Sequence, residues 1–352
     1  MGYPLNETIH GDARGNSTFR PANAALLSIS HVEAPVVVPS SHFDEVLKPT
    51  LERLRLQPGL LEKVAGVSER RWWAPGQKAS DVAAEVGAKA LSEAGVDASQ
   101  VGLVISTTVT RPYLEPAIAT SVHHGMDLPT SAMNFDITNA CLGWVNGLQV
   151  ASAMIDAGAV SYAVVLGAED VRPMHEGTIA RLLEPGVTRK DFLNEFATMT
   201  LGCGAAAAVL GRADEHPEAH RLMGGVTRAG TAHHELCIGY MNHMRTDAKL
   251  MLTEGIEIVA DAFSGGDALW GWSGADRFLI HQISRVHTET VVGRLGLDPE
   301  KVPMSFPRWG NVGPISLPMT LAATAPEFSR GDRIIAMGVG SGLNTAMIEF
   351  AW

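Results

Sequence analysis

Three short stretches carry side chains that could together do acyl-transfer chemistry. The first is Asp136 to Leu148, DITNACLGWVNGL, where an apolar strand pattern over residues 131–137 runs through a polar turn into small, helix-compatible residues. Cys141 sits at that junction. A cysteine in the first turn of a helix faces unpaired N–H groups and the positive end of the helix dipole, and both favour thiolate over thiol. The second stretch, His281-Gln-Ile-Ser284, ends an apolar strand pattern, and the third, Gly310-Asn-Val-Gly313, precedes a helix pattern. A nucleophile, a proton-handling imidazole and an amide donor are the parts that thioester chemistry needs. Each also has a plain alternative. Cys141 could be a small buried hydrophobe, His281 a satisfied core histidine, and Asn311 the N-cap of the helix that follows it.

The elements that must position these residues alternate between strand and helix. Strands are expected over 25–33, 101–108, 131–137 and 162–166, and helices over 41–54, 80–94, 117–124 and through Ala157. Ser41 and the pair Ser80-Asp81 stand where helix caps belong. This βαβαβ order, with helices crossing between parallel strands, returns in the second half of the chain. There 254–262, 288–295 and 312–323 read as helices, and 278–280 and 334–339 as strands. Leu103 to Ser106 answers Phe278 to His281, Asn139-Ala-Cys141 answers Asn311-Val-Gly313, and Gly167 answers Gly338. A duplicated α/β unit would set both active loops at corresponding strand ends, where such sheets bind ligands. Gly338, Gly340 and Gly342 follow the last strand and could supply an oxyanion-binding N–H. The expected organisation is a mobile extension over 1–21, an amino-terminal half over 22–211 with an inserted cap at about 169–201, and a carboxy-terminal half over 212–352.

From about Ala24 to Trp352 the chain resembles the thiolase superfamily, and within it the ketoacyl synthase III branch. Beside the Cys, His and Asn stretches, Gly66-Val-Ser-Glu-Arg-Arg-Trp72 with Ala79-Ser-Asp81 resembles the early signature of that branch. Gly338-Val-Gly-Ser-Gly-Leu-Asn344 resembles its glycine-rich close. Arg111-Pro-Tyr-Leu-Glu-Pro116, Thr200-Leu-Gly-Cys-Gly-Ala-Ala206 and Gly310-Asn-Val-Gly-Pro314 are similar to the thiolases that join two fatty acyl-CoAs head to head for olefin biosynthesis. The resemblance implies a five-layered αβαβα thiolase fold, a homodimer and a non-decarboxylative Claisen condensation through an acyl-Cys141. Glu115 would be the base that reaches across the dimer, because two simple acyl thioesters can join only if an α-proton is removed. His281 and Asn311 would polarise the second thioester, and the N–H groups of Cys141 and Gly340 would hold the oxyanion. The implied partners are fatty acyl-CoA substrates, a second copy of the chain and downstream olefin-pathway enzymes. Two alternatives stand beside this reading: a decarboxylative synthase using malonyl-acyl carrier protein, and a non-catalytic acyl-ligand-binding or scaffold relative.

Composition narrows the classes further. The 352 residues are 46% hydrophobic and 18% charged, enough to bury a large core over two domains. A formal net charge of -11 argues against nucleic acid as a partner, since phosphate binding needs clustered Lys and Arg. Coenzyme A still calls for a local basic patch, for which Arg70, Arg71 and Arg245 are the candidates, although surface arginines are usually solvated charge. Cys141, Cys203 and Cys237 are too few and too scattered for a disulfide framework or a metal site. Cys203 among small neighbours and Cys237 read as structural, as do His123-His124 and His233-His234, which lack metal-ligand spacing. No metal or redox cofactor is implied, coenzyme A thioesters being the substrates. The start Met1-Gly-Tyr-Pro lacks a signal-peptide pattern and no apolar run reaches spanning length, so the cytoplasm is expected.

Overall fold

A computed structural model describes residues 17–352. The first half runs β1 (Ser17–Phe19), β2 (Ala24–Glu33), β3 (Val36–Pro39), α1 (Ser40–Val46), α2 (Lys48–Leu54), β4 (Glu69–Trp72) and α3 (Ala79–Ala94). It continues with β5 (Val101–Ser106), α4 (Ile118–Gly125), β6 (Met133–Asp136), α5 (Gly143–Asp156), β7 (Tyr162–Glu169), α6 (Arg172–Leu182), α7 (Arg189–Glu195) and β8 (Gly204–Arg212). The second half opens with β9 (His220–Ala229), β10 (Cys237–Tyr240), β11 (His243–Thr246), α8 (Ala248–Trp270) and β12 (Arg277–Ile280). It closes with α9 (Arg285–Leu295), α10 (Phe306–Trp309), α11 (Ser316–Thr324), β13 (Arg333–Gly340) and β14 (Asn344–Ala351).

The main strands lie in the order β12-β13-β14-β9-β2-β8-β7-β5-β6, with β1 on β9. Two sheet halves meet where β2 touches β9 through Ala25↔Arg221 and Leu26↔His220. The internal correspondence expected from the sequence is borne out. β5 lies parallel to β7 as β12 lies parallel to β13, and toward the middle of the sheet each pair is followed by an antiparallel strand, β8 and β14. Helices α3 and α4 cover one face of the first half, and α8 and α9 pack outside the second. Helices α5 and α11 contact both halves from between them, which gives the five layers αβαβα.

Helix α5 shows why the middle layer is stable. Trp144, Val145, Leu148, Ala151 and Ile155 recur at helical spacing and all are fully buried. Large apolar side chains so placed contribute roughly 1.5–3 kcal/mol each. Strand β8, Gly-Ala-Ala-Ala-Ala-Val-Leu-Gly-Arg, has helix formers by propensity yet is a central strand, buried from Gly204 to Gly211. Its side chains are small because α3 and α11 press on it from opposite sides. At Gly204 an added Cβ would collide with Met319.

Several local expectations need correction. Of the extension expected over 1–21, residues 1–16 lie outside the described residues, while Ser17–Phe19 pair with Thr227–Gly225 as an edge strand. The helix expected over 41–54 breaks at Leu47 (φ -90°, ψ 8°) into α1 and α2. Neither Ser41 nor Ser80-Asp81 caps a helix: Pro39 and Lys78 hold the cap positions without side-chain bonds. The 169–201 segment contains α6, α7 and a 3-10 turn over Phe196–Thr200, and Glu169 itself belongs to β7.

Candidate active site

Cys141 lies in a 3-10 turn, Ala140–Leu142, that feeds α5. Ala140 before it has φ 44°, a left-handed conformation that non-glycine residues rarely hold. Gly143 after it has no room for a side chain, since a Cβ would sit 2.9 Å from the Ile137 carbonyl and 3.1 Å from that of Thr107. The turn therefore pushes Cys141 outward from the packed junction of β5, β6 and α5. From the opposite sheet half, Gly340 at the end of β13 comes so near that a Cβ there would be 3.2 Å from the Cys141 backbone nitrogen.

The thiol does not behave as its helix-start setting predicts. Burial pushes its pKa well above the ordinary thiol value, and Cys237 and Glu169 push it further. Cys141 lies within the 3-10 turn, just ahead of the first residue of α5, and there the dipole is outweighed by burial of the thiol. The resting form is the thiol.

Asn311 is set by backbone pairing with Leu201. Its N–H donates to the Thr200 carbonyl and its own carbonyl accepts from Gly202 N–H, each at 2.9 Å. Its Oδ1 accepts from the Gly313 N–H at 2.9 Å, so Asn311 steadies the turn while its Nδ2 is left to donate elsewhere. Gly310 (φ 69°) makes the approach possible, because a Cβ there would strike the Thr200 carbonyl. His281 follows β12 and its N–H donates to Met337 on β13 at 2.8 Å. Its ring is fully buried, with neither nitrogen hydrogen-bonded among the described residues. Burial, and secondarily His287, lower its pKa to about 3, so the imidazole is neutral. Next to it, Gln282 Oε1 accepts from Ser305 N–H (2.7 Å) and Phe306 N–H (3.1 Å), which locks the strand end.

Cys141, Asn311 and Gly340 line one cavity of about 1720 Å³. Its walls are largely apolar, with Met174 and Phe196 on one side and Leu252, Ile256 and Val259 of α8 on the other. His281 is not among the residues that line it, although Ile283 and Ser284 just beyond it are, and Glu115 is exposed at the tip of the 111–116 loop, whose residues Arg111 to Leu114 line the cavity. The arginines expected to bind coenzyme A mostly do other work. Arg70 is fully buried, with its guanidinium 4.7 Å over the Phe43 ring, Nη1 donating to Val38 and Ser40, and a pKa lowered by burial to about 9. Arg71 is buried against Glu69 (2.8 Å) and Glu33 (3.5 Å). Arg245 is exposed on β11, between the cavity-lining Met244 and Thr246.

Sequence reasoning passed over Glu169 and His287, among other polar residues of the cavity wall, and read Cys237, which also lies on it, as structural. Glu169 is 1% exposed, and burial raises its pKa to about 7. A signal for it existed, since a carboxylate that ends a continuous apolar strand in an α/β sheet sits where ligands bind. His287, in the first turn of α9, is held neutral by burial, which lowers its pKa to about 4. Cys203, by contrast, packs away from the cavity and its Sγ accepts from Val171 N–H at 3.4 Å.

Residues 74–209 match the family model "Thiolase, N-terminal domain", and residues 267–352 match "3-Oxoacyl-[acyl-carrier-protein (ACP)] synthase III C terminal". The acyl-CoA:acyl-CoA alkyltransferase of Xanthomonas campestris pv. campestris is 40% identical over 94% of this chain and 99% of its own. A crystal structure of Xanthomonas campestris OleA superposes with a TM-score of 0.92 at 39% identity, covering 95% of this chain and 99% of that one. The chain belongs to the OleA branch of the thiolase superfamily. Another alkyltransferase, from Shewanella oneidensis, is 33% identical over 92% of the chain and 97% of its own. The beta-ketoacyl-[acyl-carrier-protein] synthase III of Rhodospirillum rubrum stands further off, at 27% over 83% and 90%. One OleA structure at the same TM-score, with a cysteine replaced by serine, holds lauric acid and lauroyl-CoA. Others carry replacements of a glutamate or a histidine.

Proposed function

We propose that this chain condenses two fatty acyl-CoAs by a non-decarboxylative Claisen reaction, acting as a homodimer. The observation that carries the reading is a large apolar-walled cavity with Cys141, Asn311 and Gly340 together on its wall, in a chain 40% identical to an acyl-CoA:acyl-CoA alkyltransferase. Its volume suits two acyl chains.

Cys141 attacks the first thioester, its proton passes to His281, and coenzyme A leaves as the thiol. The dry site disfavours a separated thiolate and imidazolium, as the raised thiol and lowered imidazole show, so proton transfer is coupled to attack. The N–H groups of Cys141 and Gly340 receive the oxyanion. Glu115 of the facing subunit then removes the α-proton of the second acyl-CoA. Asn311 Nδ2 and His281 polarise that thioester, and its α-carbon attacks acyl-Cys141 and expels the sulfur. The product is a 2-alkyl-3-ketoacyl thioester, and no metal or redox group enters the scheme. The exposed position of Glu115 at the tip of its loop supports its service to a second copy. Of the three arginines, Arg245, exposed on β11, is the remaining candidate for the coenzyme A phosphates. Among the described residues no helix is long and apolar enough to cross a membrane, and we place the reaction in the cytoplasm.

The test is incubation with lauroyl-CoA alone, followed by mass spectrometry of protein and products. Acylated Cys141 and a 24-carbon 3-keto product (two 12-carbon units, about twice the substrate chain) are expected. Product formed only when a malonyl donor is supplied would overturn the reading in favour of the decarboxylative alternative.

A further inference from the structure

Glu115 sits at the tip of an arm that leaves β5 and returns into α4. The strands flanking β5 are β7 and β6, and each ends in a carboxylate that grips one root of the arm. At the outgoing root, Glu169 Oε1 accepts from Val109 N–H at 2.8 Å, and Oε2 accepts from Thr110 N–H at 3.0 Å and Thr110 Oγ1 at 2.6 Å. The same Thr110 hydroxyl accepts from Asp170 N–H at 2.8 Å. At the returning root, Asp136 accepts from Ile118 N–H and Ala119 N–H, both at 2.9 Å, and lies 3.8 Å from the Arg111 guanidinium. Tyr113 is tied back to Ser121 at 3.2 Å. Beyond these ties Leu114 and Glu115 project, and Leu114 is 81% exposed.

The outgoing root is the informative one. Asp136 does the ordinary work of a helix N-cap, whereas Glu169 is a buried carboxylate with no cation beside it. Burial of that kind is costly and raises its pKa to about 7. Every hydrogen bond its carboxylate receives among the described residues comes from the two residues that start the arm, and charge-assisted bonds of this kind are the strong class. An amide in its place would offer a donor where three donors already point, so one root contact must be released.

We propose that Glu169 is a positioning residue that fixes the arm carrying Glu115, and so acts on the partner subunit's site rather than on its own. This rests on the reading that Glu115 serves the facing subunit. The rival role is local, because Glu169 also lines its own chain's cavity and raises its own Cys141. The two roles differ in which subunit feels the loss.

Differently tagged chains co-expressed and purified as heterodimers make the distinction. One chain carries Cys141→Ala and can only lend its arm; the other carries Glu115→Gln and can only accept the acyl group. Activity of this pair, with lauroyl-CoA as substrate, is the control for trans service by Glu115. If it is absent while Glu115→Gln chains still acylate, that earlier reading fails. Glu169→Gln is then placed on either chain. On the arm-lending chain, condensation is expected to fall tenfold to a hundredfold, as for a catalytic group displaced by about an ångström, and more than acylation of the other chain. On the acyl-accepting chain the fall should be at least tenfold smaller. Thr110→Val, which removes the hydroxyl but keeps the N–H, should reproduce the asymmetry with a smaller amplitude if Glu169→Gln folds poorly. A larger loss on the acyl-accepting chain, equal losses on both, or no loss on either would overturn the inference.

Discussion

Replacing Gly340 by alanine adds one methyl group at the point where the two sheet halves meet over the nucleophile. Gly340 has no positive φ, so the change brings steric contact without backbone strain. The methyl would lie 3.2 Å from the Cys141 nitrogen, 3.4 Å from the Ala140 Cβ and 3.6 Å from Leu142 Cγ. The nearest of these is a few tenths of an ångström too close, and it falls on the N–H proposed to hold the oxyanion. Outright loss of one such donor costs about 10²–10³ in rate; a donor shifted and half-covered should cost about 10–100-fold. Overpacking adds a stability loss of about 1–3 kcal/mol. The assay is single-turnover acylation of Cys141 by acyl-CoA, followed by mass spectrometry of intact protein, with condensation measured in parallel. Both half-reactions should slow together, since both pass through an oxyanion in the same place. Gly274→Ala, where an added Cβ meets nothing within 4 Å, is the control. A folded Gly340→Ala enzyme that acylates at the wild-type rate would refute the placement of the oxyanion there.

Glu115→Gln should separate the half-reactions instead, leaving acylation of Cys141 intact while condensation falls about a hundredfold or more; equal slowing of both steps would count against a base role. Peptide mapping after incubation with acyl-CoA should place the acyl group on Cys141, and a label on Cys203 or on the cavity-lining Cys237 would sink that assignment. Stability should fall with acid. His175, His281 and His287 are buried with pKa values lowered to about 3, about 3 and about 4. Their contribution is therefore complete above the unfolded value near 6.5 and is lost as pH drops from there towards 4, by up to about 1.4 kcal/mol per histidine per pH unit. A melting temperature that stays level between pH 7 and pH 5 would contradict this.

What the sequence made legible was whatever local pattern determines. Cys141, Asn311 and Gly340 could be singled out because Cys141 and Gly340 follow strand patterns while Asn311 precedes a helix pattern and answers Asn139 in the other half, and the fold brings all three to one cavity. The strand β8 escaped notice because its alanines speak for helix, and packing on both faces overrules them. The state of the Cys141 thiol escaped for the same kind of reason: position in a turn can be read from the chain, but the dryness around it cannot. Arg70 shows the limit most plainly. Nothing in Glu-Arg-Arg-Trp says that the first arginine turns inward onto Phe43 while Arg245, far along the chain, stays exposed.

The position of β2 at the middle of the sheet bears on how the chain can fold as it is made. Ala24 is partnered by Arg212 and Glu33 by Gly204, so one of the first strands to emerge from the ribosome must wait for the whole first half before its ladder can close. Its other edge meets β9 later still. Contacts so distant in sequence are slow to form, and until then an apolar strand stays unpaired, the condition under which nascent chains associate wrongly. Slowing translation after Arg212 should therefore raise the soluble yield more than slowing it before Gly204, because the delay then falls when β2 first has a partner to find.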